Sequence, residues 1–233
     1  MTSVKIIALI PARGGSKGIK RKNLQLIDDV PLVGLKVRQA LQSICEEVWV
    51  STDDEEISTV ATNFGARVIN RPAELAADDT STDAVLNHAV EALNLSDEDI
   101  LVLLQPTSPL LTIKSINSCI KFLKENSVIS SVITVRQMHP FLWRKLNELK
   151  WEPSGHSREK RLRRQEMPIE GWETGGCYAI SVRAFKAQGN RYPEPTSSVE
   201  VTHLESIDID TIEDLSVVNA IYKTLFVNEE LNE

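Results

Sequence analysis

Val4-Lys5-Ile6-Ile7-Ala8-Leu9-Ile10, followed at once by Pro11-Ala12-Arg13-Gly14-Gly15-Ser16-Lys17-Gly18, decides how the rest of the chain reads. The apolar run is too short for a core helix, and Pro11 ends it. Its apolar residues stand next to one another instead of alternating with polar ones, as in a strand covered on both faces. A polar, glycine-rich loop comes next and not a small-residue cleavage site, so the segment reads as a first strand and not as a signal peptide. Outward from it, Glu47 to Ser51, Ala66 to Asn70 and Ile100 to Gln105 repeat the pattern. Between them lie amphipathic stretches from Leu32 to Ile44, Asp54 to Phe64, Thr82 to Leu93 and Ile113 to Glu125, with apolar residues near helical spacing. This alternation predicts an α/β fold: an open, mixed, mostly parallel sheet with helices on both faces and ligands at the carboxyl ends of the strands.

The alternation stops after Ser130 to Val135. Residues 136–168 carry Trp143, Trp151, Pro and Gly and dense charge, a composition suited to a protruding arm inserted in one domain that spans residues 1–233. A strand is expected again at Gly176 to Val182. Ser206-Ile207-Asp208-Ile209-Asp210 alternates strictly, as a strand would, before an amphipathic helix from Thr211 to Phe226.

The composition narrows the function. A net charge of −7 repels polyanions at long range, which argues against nucleic acid and anionic lipid as partners, so any anion site must be local. No segment reaches the roughly 18 uninterrupted apolar residues of a membrane helix. Cys45, Cys119 and Cys177 are odd in number and far apart, without zinc-site spacing, as expected for a reduced, cytoplasmic compartment.

Against this acidic background, the segment from Arg13 to Lys22 packs five cations into ten positions among glycines. Glycines let backbone N–H groups approach an anion and the cations neutralise it, a phosphate signature. Neither a Walker A loop nor a dinucleotide fingerprint can be aligned to it. Arg71-Pro72 closes the third strand and puts a guanidinium at the rim, where a structural ion pair is an equal alternative. Ser81 and Thr82 suit a helix N-cap. Gln105-Pro106-Thr107-Ser108-Pro109 sits at the carboxyl end of a central strand and on its own reads as a turn. Asp208 and Asp210, two apart on the expected strand, put both carboxylates on one face, able to share a hard cation or to cap the last helix. Arg158, Lys160, Arg161, Arg163 and Arg164 form a second basic run, on the arm.

Taken together and in order, Pro11 to Gly18 with Lys22-Asn23, Arg71-Pro72-Ala73-Glu74-Leu75-Ala76, Leu104 to Leu110, Arg164-Gln165 and Asp208-Ile209-Asp210 resemble the acylneuraminate cytidylyltransferases, or CMP-sialic acid synthetases. The resemblance implies a nucleotide-diphospho-sugar transferase-like fold and a homodimer using the arm. It also implies Mg²⁺ as cofactor, with CTP and a nonulosonic acid of sialic, legionaminic or pseudaminic type as substrates. It places Ala12, Arg13, Gly14, Gly15, Lys22, Asn23, Arg71, Ser81 and Thr82 around the nucleotide, with Asn23, Arg71 and Thr82 on the cytosine wall. Gln105, Arg164, Gln165 and Thr174 fall to the acceptor, and Asp208 and Asp210 to the metal. Arg13, Lys22, Asp208 and Asp210 carry catalysis. This chain departs from the family pattern at Leu111, where Arg is frequent, and at Thr174, where Asn is common. Transfer to an eight-carbon 3-deoxy-octulosonic acid, or a nucleotide-sugar sensor without turnover, are the competing readings.

Overall fold

The structure, a computed structural model, describes residues 4–139, 141–160 and 162–226. Seven strands form the main sheet: β1 (Ile6–Pro11), β4 (Glu47–Thr52), β5 (Arg67–Asn70), β6 (Ile100–Leu104), β7 (Ser131–Met138), β10 (Glu170–Ser181) and β11 (Thr196–Glu200). Their order is β11-β7-β10-β6-β1-β4-β5. β10 alone runs against the other six, so the sheet is mixed and mostly parallel. The short pair β2 (Leu26–Ile27) and β3 (Val30–Pro31) lies apart from it, as does the arm hairpin of β8 (Leu142–Lys145) and β9 (Trp151–Ser154).

Side chains alternate across the central strands. Ile6, Ala8 and Ile10 of β1, Val102 and Leu104 of β6, and Cys177 and Ala179 of β10 pack on one face. There they meet α1 (Leu32–Gln42), α2 (Glu55–Asn63) and α4 (Ile113–Glu125). Ile7, Leu9, Leu101, Leu103, Tyr178 and Ile180 take the other face, under α3 (Thr82–Ala92) and α5 (Val182–Gln188). Burial on both faces is why these strands read as continuous apolar runs. A third cluster joins Ile19, Ile27, Leu32, Leu35, Leu110 and Ile209 to Val218 of α6 (Ile212–Phe226), closing the carboxyl edge of the sheet.

Polar residues set the helix starts. Asp54 accepts from the amides of Glu56 and Ile57 at α2, Ser81 from Ala84 at α3, and Thr112 from Ser115 at α4, each satisfying an otherwise orphaned N–H.

Two expectations need correction. Residues 206–210 form no strand; Ile209 makes a single backbone bond to the Thr107 carbonyl at 2.9 Å. Their alternation arises because Ile207 and Ile209 pack into the cluster under α6 while the aspartates face away from it. The strand expected from Gly176 begins earlier, at Glu170, and its pairing with β7 shifts between Glu173 and Tyr178. That irregularity lets β7 and β10 run together out of the core to residues 138 and 170, carrying the arm. On it Trp143 and Trp151 remain half exposed, with Ile169 largely and Leu149 almost wholly in solvent. No helix among the described residues is long and apolar enough to cross a membrane.

Candidate active site

Chain connections leave β1 toward β4 on one side and return from β5 to β6 on its other side. The gap between β1 and β6 at their carboxyl ends is therefore a topological switch point. A cavity of about 380 Å³ opens there. The loop leaving β1 forms one wall and is pinned from below. The Gly14 amide donates to Asp53 Oδ1 at 3.0 Å, and Arg21 forms ion pairs with Asp54 and Glu56. A Cβ on Gly14 would lie 2.6 Å from Asp54 Oδ2, so only glycine permits this approach. Gly14 and Arg21 are held by the acids at the start of α2 and Lys20 is exposed off the cavity wall; the other three cations of the loop, Arg13, Lys17 and Lys22, line the cavity.

Lys22 donates to the Ile209 carbonyl at 2.9 Å and to Asp210 Oδ1 at 3.0 Å, joining the first loop to the last one. Gly18 makes the same junction, since a Cβ there would meet the Asp210 carbonyl oxygen at 2.7 Å. Arg13 pairs with Asp78 at 2.9 Å and donates to the Ala76 and Ala77 carbonyls, while Lys17 reaches Asp78 at 3.2 Å. Residues 73–80 thus offer oxygen atoms to the cations that a polyphosphate would engage.

The opposite wall carries Asn23 and Arg71, both buried. Arg71 donates to Ser51 Oγ at 3.1 Å and to the Ser51 carbonyl at 2.6 Å, and burial draws its guanidinium down to about 10, still charged at neutral pH. The ion-pair role weighed for it is replaced by a hydrogen-bonded one. Asn23 donates from Nδ2 to the Arg13 carbonyl at 2.9 Å. Thr82 and Gln105 also line the cavity. Ala12 is buried beneath it, Ser81 caps α3, and Gly15 stands in open space.

Asp208 is half buried, its Oδ1 accepting from the Ser108 hydroxyl at 3.2 Å. Burial, together with the Asp210 carboxylate, pushes its carboxyl above the usual aspartate value, against the opposing effect of the Thr107 and Ser108 hydroxyls. Asp210 is exposed. Among the described residues, no three acidic, histidine or cysteine side chains converge to hold a metal by themselves. Two carboxylates beside a cavity lined by cations fit Mg²⁺, which prefers one or two carboxylates completed by phosphate oxygens and water.

The acceptor residues are dispersed. Thr174 is buried and turned inward, 2.7 Å from the Thr134 hydroxyl, so its side chain does not reach the cavity. Gln165 lies exposed on the arm, in the turn Arg164–Glu166. The side chain of Arg164, like Arg161, lies outside what the structure describes. Sequence reasoning missed Asp78 and two fully or nearly buried charges. Lys36 of α1 donates to the Ser108 carbonyl at 2.8 Å, and Glu205 gathers the amides and hydroxyls of Thr112 and Thr202 with the Ser115 hydroxyl. Lys36 takes a polar slot of an amphipathic helix and Glu205 lies in a turn, and in both cases only tertiary packing reveals burial.

Residues 7–229 match the family model described as cytidylyltransferase. The chain belongs to the cytidylyltransferase family. The chain is 38% identical over 184 residues, 77% of its length, to N-acylneuraminate cytidylyltransferase B of Danio rerio, covering 43% of that protein. With pseudaminic acid cytidylyltransferase of Campylobacter jejuni it shares 32% identity over 97% of its own length and 99% of the relative's. The chain spans about half the length of the fish relatives it matches. Among solved structures, CMP:2-keto-3-deoxy-manno-octonic acid synthetase complexed with CTP superposes with a TM-score of 0.68 at 20% identity, covering 94% of this chain and 99% of that one. The family expected from the motifs is thus the one the comparisons return, and the fold is shared more widely than the sequence.

Proposed function

We propose that this cytidylyltransferase transfers a cytidylyl group from CTP to a nonulosonic acid, giving the CMP-sugar and pyrophosphate, with Mg²⁺ held by Asp208 and Asp210. The observation that carries this reading is the junction at Lys22. One ammonium, at the mouth of a cavity walled by Arg13 and Lys17, meets the carboxylate of Asp210 beside Asp208. Cations for a triphosphate and carboxylates for its metal come together there. Relatives named for sialic and pseudaminic acids at 29–38% identity favour a nonulosonic acid over the octonic acid of the 20% identical structure.

In this reading the anomeric hydroxyl of the acceptor attacks the α-phosphorus, the new C–O–P link forms as the hydroxyl gives up its proton to solvent, and the bond to pyrophosphate breaks. Arg13, Lys17 and Lys22 hold the phosphates and spread the charge that develops on their oxygens. For the first two, this means exchanging Asp78 for phosphate. Arg71 and Asn23 bound the base, and Thr82 and Gln105 line the remaining wall. Mg²⁺, when bound, supplies further neutralisation of the triphosphate and helps align it. Asp208→Asn and Asp210→Asn should each abolish turnover without lowering the thermal midpoint; near-normal rates for both at limiting Mg²⁺ would remove the metal assignment.

The half-exposed Trp143 and Trp151 support a homodimer in which a second copy covers the arm. We further place the enzyme in the cytoplasm, a reading supported by three free cysteines, two of them buried. Sedimentation velocity showing an active monomer would remove the dimer.

A further inference from the structure

Lys36 has no part in the transfer chemistry assigned to Arg13, Lys17 and Lys22, yet it is wholly buried in α1. A buried ammonium without a bonded carboxylate is costly to keep, and a methionine would fill the same space without charge. Its Nζ donates to the Ser108 carbonyl at 2.8 Å. One turn along the same helix, Gln39 donates to the Pro109 carbonyl at 2.7 Å and the Leu111 carbonyl at 3.0 Å. These bonds matter because Pro106 and Pro109 have no N–H to stabilise the loop between them. The loop's own turn bonds, Ser108 N to the Gln105 carbonyl and Leu111 N to the Ser108 carbonyl, are long at 3.3 Å. The loop is therefore held from behind, by α1. From its front, the Ser108 hydroxyl donates to Asp208 Oδ1 and the Thr107 carbonyl accepts from Ile209.

We propose that Lys36 is a positioning residue for the transfer reaction: through the Ser108 carbonyl it fixes the Gln105–Leu111 loop, so that the Ser108 hydroxyl keeps Asp208 turned toward the metal it shares with Asp210. The proposal rests on the metal reading given under Proposed function. Lys36 touches neither substrate nor metal; its bonded path runs through one peptide group and one hydroxyl, and its charge also lies within reach of the Asp208 carboxylate. Partners at this remove from a metal orient its ligands, and their loss typically weakens metal binding by roughly tenfold to a hundredfold.

The test is titration of the full chain with CTP by calorimetry, once with Mn²⁺ and once with EDTA, beside thermal melting and steady-state kinetics. In the wild type, Mn²⁺ should tighten CTP binding. Lys36→Met should reduce that metal-dependent gain by about tenfold or more, with CTP affinity in EDTA within about twofold of wild type. Its kcat should fall in parallel, while its thermal midpoint stays equal or rises because a buried charge has gone. Ser108→Ala should produce the same loss, and the double variant no further loss, since both act along one path. A Lys36→Met chain with an undiminished metal-dependent gain would overturn the proposal, as would losses that multiply in the double variant. Should Lys36→Met fail to fold, Ser108→Ala decides alone: an unchanged gain overturns the proposal and a loss of about tenfold sustains it. A wild type whose CTP affinity ignores Mn²⁺ overturns the metal reading and the proposal with it, and this is seen before any variant is made.

Discussion

Removing the carboxylate of Glu205 should unfasten the loop that carries both aspartates. The side chain is buried, and its Oε1 accepts from the Thr112 amide at 3.2 Å, the Thr112 hydroxyl at 2.7 Å and the Ser115 hydroxyl at 2.5 Å. Its Oε2 accepts from the amide and the hydroxyl of Thr202, both at 3.0 Å. It thus ties the turn at 202–206 to the start of α4, three residues before Asp208. Glu205→Ala leaves these donors without their acceptor. Of these donors Ser115 is buried, so its orphaned hydroxyl costs about 1–3 kcal/mol, while Thr112 and Thr202 are exposed and turn to water at a cost of about 1 kcal/mol between them. A net loss of about 2–4 kcal/mol is expected, which for a chain of this size lowers the thermal midpoint by roughly 4–16 °C. Glu205→Gln keeps the shape but turns an NH₂ toward donors, so it should lose about half as much. The pH dependence supplies a second signature. Burial raises the Glu205 carboxyl, but the bonds from Ser115, Thr112 and Thr202 outweigh it and hold the group below its ordinary value. A carboxylate depressed in the folded state contributes stability that is full above the unfolded pKa and is lost as pH falls through the folded one. The gap between wild type and Glu205→Gln should therefore be full at about pH 6 and narrow progressively below about pH 4. Differential scanning calorimetry at several pH values measures this. A midpoint for Glu205→Ala within about 2 °C of wild type, or a gap that ignores pH, would refute the reasoning.

Other consequences arise from the cavity itself. CTP should be used in preference to UTP, because cytosine and uracil reverse donor and acceptor at the wall of Arg71 and Asn23; equal rates with both would remove that wall's role. Arg71→Ala should weaken CTP more than pyrophosphate, and it should also lower the melting midpoint because Ser51 loses its partner. Asp78→Asn should tighten CTP by up to about fivefold at low salt, the scale of the exposed ion pairs it releases from Arg13 and Lys17, with the gain fading as salt rises. Calorimetry showing no change at any ionic strength would mean that these pairs do not compete with phosphate.

The sheet was legible wherever both faces of a strand are buried. Ile6 to Ile10 and Ile100 to Leu104 announce themselves because neither face tolerates polar groups. β11, Thr-Ser-Ser-Val-Glu, escaped notice because an edge strand with one half-covered face needs no apolar alternation. α5 has seven residues, too few for a period to emerge. At 206–210 the period was real and its cause was misread, since cluster packing imitates a ladder. The cationic loop was legible because five charges in an acidic chain need a reason. Lys36 and Glu205 were not, because a single charge on an amphipathic helix or in a turn looks solvated until the fold closes over it. Thr174 shows the reverse: the family resemblance pointed it to the acceptor, and its hydroxyl is taken up by Thr134 inside the sheet.

Cytidylyl transfer where Lys22 meets the two aspartates is measured by incubating the purified chain with CTP, Mg²⁺ and, separately, sialic, legionaminic and pseudaminic acids, with products read by mass and pyrophosphate release. A CMP-sugar and equimolar pyrophosphate are expected with at least one of these acids, and neither product from Asp210→Asn. No CMP-sugar with any of the three, from a folded chain that binds CTP, would contradict that transfer.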